Sequence, residues 1–291
     1  MLIATARAVY RLGDANGSKP QRVFQGEGVR RVAVRGGMGL VVLEGGDLVF
    51  LGRPQGTVPT GITDPIAAVA ILDAEPIELL FGTDEGAHLY RLVGTEGPAE
   101  RVDSFDTLDA RARWRTPWGG PPAVRVLATT DDGWVYADIH VGSIMYSSNR
   151  GRTWAPVTPD LDDDVHDIAT TPADPNRLVA NTANAIYVSD DRGRTWYHRA
   201  SGLPNRYGRA IAVHPVDPDL FLATVSDGPH GGNGTLHRSE DGGRTWEPIR
   251  DGFPAPVDHN IDTNRVAFSS DGTAWVADGT ILYVGTERAA R

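Results

Sequence analysis

One octapeptide pattern occurs three times in this chain, and it constrains the fold more than any other feature. The pattern is S-x-D-x-G-x-T-W, and its second copy consists of Ser189, Asp191, Gly193, Thr195 and Trp196. The third copy consists of Ser239, Asp241, Gly243, Thr245 and Trp246. The first copy has an asparagine in the aspartate position and consists of Ser147, Asn149, Gly151, Thr153 and Trp154. Spacings of about 40 to 50 residues between copies indicate a repeat architecture.

The chemistry of one copy predicts a tight turn between two strands. Ser and Asp side chains accept hydrogen bonds from nearby backbone N–H groups, and glycine supplies a positive φ. Threonine and tryptophan fit the half-buried surface of a strand. We therefore expect each copy to close a β-hairpin and to begin its next strand at the threonine. The strands expected on this basis are Thr153–Val157, Thr195–Arg199 and Thr245–Ile249.

These residues resemble the Asp-box, also called the bacterial neuraminidase repeat, of β-propellers. Two copies match at all five motif positions, and the first departs from the motif only at Asn149. The family includes sialidases, other glycoside hydrolases, sortilin-type receptors and photosystem II assembly factors. The resemblance implies an all-β propeller of four-stranded antiparallel blades. It leaves function open, because propellers carry many unrelated activities.

The strand pattern repeats with the same period. The clearest unit contains four strand-like segments, His166–Thr171, Arg177–Thr182, Ala185–Ser189 and Thr195–Arg199. Four antiparallel strands in about 40 residues make one propeller blade. We expect a single propeller domain over residues 1–291, with seven blades, or six if the two ends share one blade. The N-terminal segments Leu2–Ala6, Ala8–Leu12 and Arg22–Gln25 are typical of a blade without its first strand, so pairing of the two ends would close the ring.

Composition excludes several classes of partner. The net charge of −10 argues against broad nucleic-acid binding. No apolar stretch is long enough to cross a membrane, and the absence of cysteine excludes disulfides and thiolate metal sites. The first residues lack the pattern of a signal peptide, so we expect a cytoplasmic protein. The oligomeric state is left open.

Basic residues mark the start of the predicted innermost strands. Equivalent positions in a propeller lie at equal height around the axis, so such side chains would converge at the mouth of the central channel. Aligning the strand starts gives Arg31, Arg125, His166, Arg209 and Arg265. Several guanidinium groups in one concavity would bind a carboxylate or phosphate, because the arginine fork matches both. The alternative is that each side chain points between blades and pairs with an acidic neighbour.

Loop residues expected at the same end of the blades form a second group of candidates. Histidines near carboxylates can act as general acids or bases. The candidate catalytic residues are His140, His166, His230, His259 and Tyr207. Asn184 and Asp258 join the basic residues as candidate ligand-binding groups, with Asn260 beside them. The spacing matches no compact zinc signature, so we expect no metal and no other cofactor; hydrogen-bonded bystanders are the alternative.

The longest connection without a strand pattern is Asp106–Pro122. Long ordered loops are often functional. The alternative is a surface excursion that covers the edge of a blade.

Two functions fit the resemblance. The preferred hypothesis is a binding or assembly scaffold that recognises a small anionic ligand or an acidic protein segment at the channel mouth. The alternative is a glycoside hydrolase-like enzyme, related to exo-sialidases, or a lyase acting on a carboxylated sugar. Sialidases carry an Arg-Ile-Pro motif near the N-terminus and a Tyr–Glu nucleophile pair. This chain lacks the motif, and no Tyr–Glu pair can be assigned from its spacing.

Overall fold

The computed structural model describes residues 1–13, 19–53, 56–254 and 256–285. In these residues the chain forms seven antiparallel sheets, five with four strands and two with three. Each sheet is a simple meander of strands that follow one another in the sequence. The predicted all-β propeller class and the count of seven blades are confirmed. Contacts between Cα atoms divide the chain into two compact units, residues 1–129 with 133–155 and residues 130–132 with 156–291.

The first unit contains four sheets. The first is built from β1 (Leu2–Thr5), β2 (Ala8–Arg11) and β3 (Gln21–Gln25). The second is built from β4 (Val29–Arg35), β5 (Met38–Leu43), β6 (Asp47–Leu51) and β7 (Val58–Pro59). The third is built from β8 (Ile66–Ala74), β9 (Ile77–Thr83), β10 (Leu89–Val93) and β11 (Glu100–Arg101). The fourth is built from β12 (Val124–Thr129), β13 (Val135–Ile139), β14 (Ser143–Ser147) and β15 (Ala155–Pro156).

The second unit contains three sheets. The fifth sheet is built from β16 (Val165–Thr171), β17 (Asp174–Thr182), β18 (Ala185–Ser189) and β19 (Tyr197–Arg199). The sixth is built from β20 (Tyr207–Val213), β21 (Phe221–Ser226), β22 (Thr235–Ser239) and β23 (Glu247–Pro248). The seventh is built from β24 (Val266–Phe268), β25 (Ala274–Asp278) and β26 (Ile281–Gly285).

Within each unit the first strands of neighbouring sheets lie side by side. In the first unit β1 contacts β4, β4 contacts β8, and β8 contacts β12. In the second unit β16 contacts β20, and β20 contacts β24. The position of β1 corrects one expectation, because β1 is itself the first strand of its blade. Each end of the chain contributes a separate three-stranded sheet, and pairing of the two ends stays a prediction.

The cores of both units are layers of apolar side chains between sheets. In the first unit Leu40, Leu79 and Phe81 lie in one such layer and are almost fully buried. In the second unit Ile186, Phe221 and the Asp-box residue Trp246 form another. Burying side chains of this size contributes about 1.5–3 kcal/mol each. The described residues include no helix that is long and apolar enough to span a membrane.

The three octapeptides form the expected turns, each between the third and fourth strand of a sheet. In the second copy Ser189 Oγ accepts the Gly193 N–H at 2.7 Å, and Asp191 Oδ1 accepts the Thr195 N–H at 2.8 Å. The Thr195 hydroxyl donates to Asp191 Oδ2 at 2.8 Å. Gly193 has a φ of 85°, which favours glycine.

The predicted start of the fourth strands is wrong by two residues. These strands begin after the tryptophan, at Ala155, Tyr197 and Glu247. The threonine cannot join the sheet, because its N–H and hydroxyl are both bound by the motif aspartate. The tryptophan ring turns into the core instead, and Trp196 is 7% exposed.

The first copy shows why asparagine can replace the aspartate. Asn149 Oδ1 accepts the Ser147 hydroxyl at 2.9 Å and the Thr153 N–H at 2.9 Å. Its Nδ2 donates to Thr153 Oγ1 at 2.9 Å, so the threonine hydroxyl accepts a hydrogen bond here instead of donating one. The turn is therefore closed without a charge.

The predicted connection Asp106–Pro122 lies within a longer insertion between β11 and β12. It begins with a short helix, Asp103–Asp106, followed by a 3-10 helix over Asp109–Arg113. Phe105 packs between Trp114 and Trp154, with ring centroids 5.4 and 5.1 Å apart. The insertion is thus anchored in the core of the first unit.

Candidate functional site

A β-bulge recurs near the start of the first strand in the second to sixth sheets. Two residues of that strand face one residue of the next strand at this point, so one side chain leaves the regular alternation. The bulged residues are Arg30, Ala67, Arg125, His166 and Arg209, the last sharing its bulge with Ala210. The register corrects the predicted alignment, because Arg30 and not Arg31 is equivalent to His166.

In the first unit the arginines of the second sheet contact the third sheet. Arg30 Nε donates to the Ile66 carbonyl at 2.6 Å, and its Nη2 pairs with Asp84. Arg31 Nε donates to the Ala67 carbonyl, and its Nη1 donates to the Arg30 carbonyl at 2.8 Å. Burial and the charge of Arg30 lower the pKa of Arg31 from its ordinary value. Arg30 thus pairs with an acidic residue of the third sheet, whereas the predicted residue Arg31 is bound by two backbone carbonyls.

Arg125 differs from these two arginines. It is half-buried, and its Nη1 atom is fully buried without a hydrogen-bond partner among the described residues. A buried donor without an acceptor costs about 1–3 kcal/mol. An anion or a water molecule bound at this nitrogen would remove that cost.

In the second unit His166, Tyr207 and Arg209 form one contiguous group. His166 is 1% exposed, and its Nδ1 donates to the Gly208 carbonyl at 2.5 Å. Its Nε2 lies 3.2 Å from Asp164 Oδ1, and its ring lies 4.8 Å from the Tyr207 ring. The Arg209 guanidinium lies 5.2 Å from the Tyr207 ring centroid. The bulge therefore orients the His166 side chain so that it packs between β16 and β20.

The charge of Arg209 has a nearby partner. Its Nε lies 3.5 Å from Asp262 Oδ1. The Thr263 hydroxyl contacts the carbonyls of both His166 and Arg209, at 2.8 and 3.3 Å. Arg265 follows in the same segment and is exposed, with its backbone N–H bound to the Asp262 carbonyl. Of the predicted basic residues in this unit, Arg265 is thus the one open to solvent.

Three residues at one edge of the seventh sheet, a histidine and two aspartates, form a group suited to acid–base chemistry. His259 Nδ1 lies 3.0 Å from Asp258 Oδ1, and its Nε2 lies 2.6 Å from Asp278 Oδ1. Hydrogen bonds to Asp278 and Asp258 raise the pKa of His259 above its ordinary value. The bond with His259 lowers the pKa of Asp258. We call these three residues the His259 cluster.

The loop between β21 and β22 packs against this cluster. Gly234 and Val257 exchange backbone hydrogen bonds of 2.8 and 2.9 Å. Asn260 Nδ2 donates to the Gly228 and Pro229 carbonyls at 3.3 and 3.2 Å. A Cβ atom on Gly231 would lie 3.0 Å from the His259 Cα. The predicted residue His230 is exposed in this loop, so it belongs to the same surface as the His259 cluster.

The remaining predicted residues lie in turns after second strands. The Asn184 side chain donates to the Tyr187 hydroxyl at 3.3 Å, within its own hairpin. His140 follows β13 in the first unit, and its ring lies 4.9 Å from the Trp118 ring. The predicted site residues therefore fall into separate groups, and their convergence on one mouth stays a prediction.

The sequence-based reasoning missed Asp278 and Trp118. Asp278 ends β25, the second strand of its sheet, which is the same turn position that led to His140, Asn184 and His230. Applying that criterion to the seventh sheet would have found it. Trp118 lies in the insertion, where no strand pattern gave its orientation.

A metal cluster or an enclosed cavity would each be another kind of site. Within the described ranges, no three His, Asp or Glu side chains come together in a way that could hold a metal ion. A cavity of about 430 Å³ lies between the sixth and seventh sheets, lined by apolar residues such as Leu222, Phe253 and Phe268 and by a few charged residues at its rim. Its apolar lining offers packing space and little acid–base chemistry.

The comparisons with known proteins agree on the fold. A family model described as sortilin, neurotensin receptor 3 (Sortilin-Vps10) matches residues 142–271. The crystal structure of an ancestral GH74 enzyme aligns over 88% of this chain and 36% of its own, with 14% identity and a TM-score of 0.67. A structure described as YCF48 bound to D1 peptide aligns over 96% of this chain and 89% of its own, with 17% identity and a TM-score of 0.65.

Curated relatives include several xyloglucanases. Xyloglucanase Xgh74A of Acetivibrio thermocellus is 32% identical over 177 residues, which cover 52% of this chain and 20% of that protein. A probable oligoxyloglucan-reducing end-specific xyloglucanase of Neosartorya fischeri is 28% identical over 165 residues, covering 49% of this chain and 19% of that protein. The chain thus spans about a fifth of the length of these relatives. With its seven antiparallel sheets and its likeness to these solved structures, the chain has the fold of a seven-bladed β-propeller, in which the three octapeptides form turns that resemble Asp-boxes.

Proposed function

We propose that the protein is a glycoside hydrolase-like propeller that acts on a xyloglucan-type polysaccharide, with the His259 cluster as its acid–base group. The observation that carries this proposal is the sequence similarity to xyloglucanases. This favours the enzyme hypothesis over the binding scaffold preferred from the sequence alone.

The chemistry of the His259 cluster supports a role in proton transfer. Glycoside hydrolysis requires a proton donor to the leaving oxygen and a carboxylate that assists the attack of water or stabilises positive charge. His259 has a raised pKa and a side chain that is half exposed, so its protonated form is favoured and is accessible to a substrate. Asp258 has a lowered pKa and is fully exposed, so it is the ionised carboxylate. Asp278 is largely buried and orients the imidazole.

The direct test is the release of reducing ends from xyloglucan. We expect the wild-type protein to be active and His259→Gln to lose at least about 100-fold in kcat, the usual contribution of a general acid. His198→Gln is the matched control, because His198 is also exposed and hydrogen-bonded but lies in β19 outside the cluster. Equal activity of His259→Gln and wild type would refute the assignment. A wild-type protein without activity on xyloglucan would refute the proposed reaction.

The second candidate is a scaffold that binds an acidic segment or a small anion. The likeness to a propeller solved with a peptide favours it, as does the buried Nη1 of Arg125. We expect phosphate or a carboxylated sugar to raise the melting temperature of the protein, and the double variant Arg209→Ala/Arg265→Ala to lose the shift. Arg125→Met tests the buried nitrogen separately. An unchanged shift in both variants would place anion binding elsewhere.

A further inference from the structure

Trp118 is the feature of the first unit that packing explains least. Its side chain is 72% exposed, whereas Trp114, Trp154 and the other Asp-box tryptophans are at most 8% exposed. A tryptophan can bury 150–250 Å² of surface, and burial of that surface is strongly favourable. A ligand that covers this exposed ring would therefore gain the favourable free energy of burying the indole surface.

The backbone around Trp118 holds the ring in a defined position. The Gly119 N–H donates to the Thr116 carbonyl at 3.0 Å, and the Thr116 hydroxyl donates to the Gly120 carbonyl at 2.8 Å. Thr116 is 4% exposed, and Gly119 has a φ of 79°. A Cβ atom on Gly120 would lie 2.8 Å from the Trp118 Nε1 atom. The turn is thus shaped around the indole, and the indole is not a loose loop residue.

Polar groups lie directly beside the ring. The His140 ring lies 4.9 Å from Trp118 at an angle of 60°. The Arg115 N–H donates to the carbonyl of Val141, the residue after His140, at 3.3 Å, and the Arg115 side chain is exposed. The neighbouring Trp114 is buried in the core and fixes the base of the segment. Trp118 and His140 therefore form one patch, and Arg115, whose Nη1 donates to the Arg113 carbonyl at 3.4 Å, lies in the chain segment beside it.

We propose that this patch is a sugar-binding subsite, in which a pyranose ring stacks on Trp118. The C–H face of a pyranose is apolar and fits the face of an indole ring, whose π-system carries negative charge. Arg115 and His140 would donate hydrogen bonds to the hydroxyl or carboxylate groups at the rim of the sugar. The proposal rests on the carbohydrate-directed function proposed above, but it assigns binding and no catalytic step to these residues.

The test measures the dissociation constants of two probes by calorimetry, a neutral xyloglucan heptasaccharide and an oligogalacturonate of similar length. We expect the full chain to bind at least one of them and Trp118→Ala to weaken that binding about tenfold or more. Trp118→Phe should recover part of the affinity, because it keeps an aromatic face. Arg115→Ala should weaken the oligogalacturonate more than the neutral probe.

Val216→Ala is the matched control, since Val216 is an exposed apolar residue of the second unit, 74% exposed. It should bind both probes like wild type. Wild-type affinity in Trp118→Ala would overturn the subsite, and so would a wild-type chain that binds neither probe. If Trp118→Ala loses affinity while no variant or wild type hydrolyses xyloglucan, the subsite stands and the proposed reaction fails. If hydrolysis is present and Trp118→Ala keeps its affinity, the reaction stands and the subsite fails.

Discussion

The protonation of His259 is set by its two carboxylate neighbours. Hydrogen bonds to Asp278 and Asp258 raise its pKa in the folded state, so this contribution to stability is complete below the pKa of the unfolded chain. It is lost as the pH rises through the folded-state pKa. We predict that the His259 pKa measured by NMR lies above about 6.5. Asp278→Asn should move it down. A His259 pKa unchanged in Asp278→Asn would contradict the assigned contact.

His237 shows the opposite behaviour. It is 1% exposed in β22, and burial, with the charge of Arg250, lowers its pKa to about 4. Between about pH 6.5 and 4 the unfolded chain binds a proton that the folded chain does not, so the free energy of unfolding falls as the pH is lowered. The predicted loss is about 3 kcal/mol across this range.

The measurement for His237 is urea unfolding at a series of pH values. His237→Gln removes the titration, so the pH dependence of its unfolding should be shallower than that of wild type. If the free energy of unfolding changed equally with pH between pH 6.5 and 4 in the wild type and the variant, His237 would not be the group responsible for the pH dependence.

At the scale of a single element, the Asp-box turn should need the hydrogen-bonding side chain of its aspartate more than the negative charge. Burial acts to raise the pKa of Asp191, but hydrogen bonds from Thr195 and Ser189 outweigh it and lower the pKa. Asp191→Ala should destabilise the protein by about 1–3 kcal/mol, because donors in the turn lose their acceptor. Asp191→Asn should cost much less, since Asn149 closes the first copy with the same partners. Equal losses for the two variants in thermal unfolding would contradict this account.

Close packing between β17 and β20 provides a second test at this scale. A Cβ atom on Gly208 would lie 1.6 Å from Asn181 Oδ1, and the Asn181 side chain donates to the Ala210 and Thr224 carbonyls. Gly208→Ala should therefore cost about 3 kcal/mol or more, from overpacking and disturbed hydrogen bonds. Gly228→Ala is the control, because no atom lies within 4 Å of its added Cβ. Similar melting temperatures for both variants would refute the role of this contact.

The sequence predicted elements well where the signal was local. The Asp-box side chains bond within their own octapeptides, so both position and geometry followed from the residues. The bulges were not predicted, because a bulge depends on pairing between strands and leaves no local mark on the sequence. In the second sheet the residue aligned from the sequence was Arg31, whereas the bulge lies at Arg30. The position of Asp278 at the end of β25 could have been found from the strand pattern, but its contact with a histidine 19 residues away could not.

At the scale of the whole molecule, repetition made the fold predictable and the function difficult to infer. A period of about 40 residues specified four-stranded sheets in succession, because each sheet needs neighbours to bury its faces. Function depends on side chains from several sheets, and their orientations follow from bulges and from one long insertion. The charged bulge residues Arg30 and Arg209 have acidic partners, which the count of acidic residues allowed but could not assign.

The central claim is that this propeller is directed at a glycan through the His259 cluster. The most direct measurement is a crystal structure of the protein with a xyloglucan oligosaccharide. We predict electron density for a sugar whose glycosidic oxygen lies within hydrogen-bond distance of His259 Nδ1. Sugar density only at other surfaces, with the His259 cluster contacted by solvent alone, would contradict the claim.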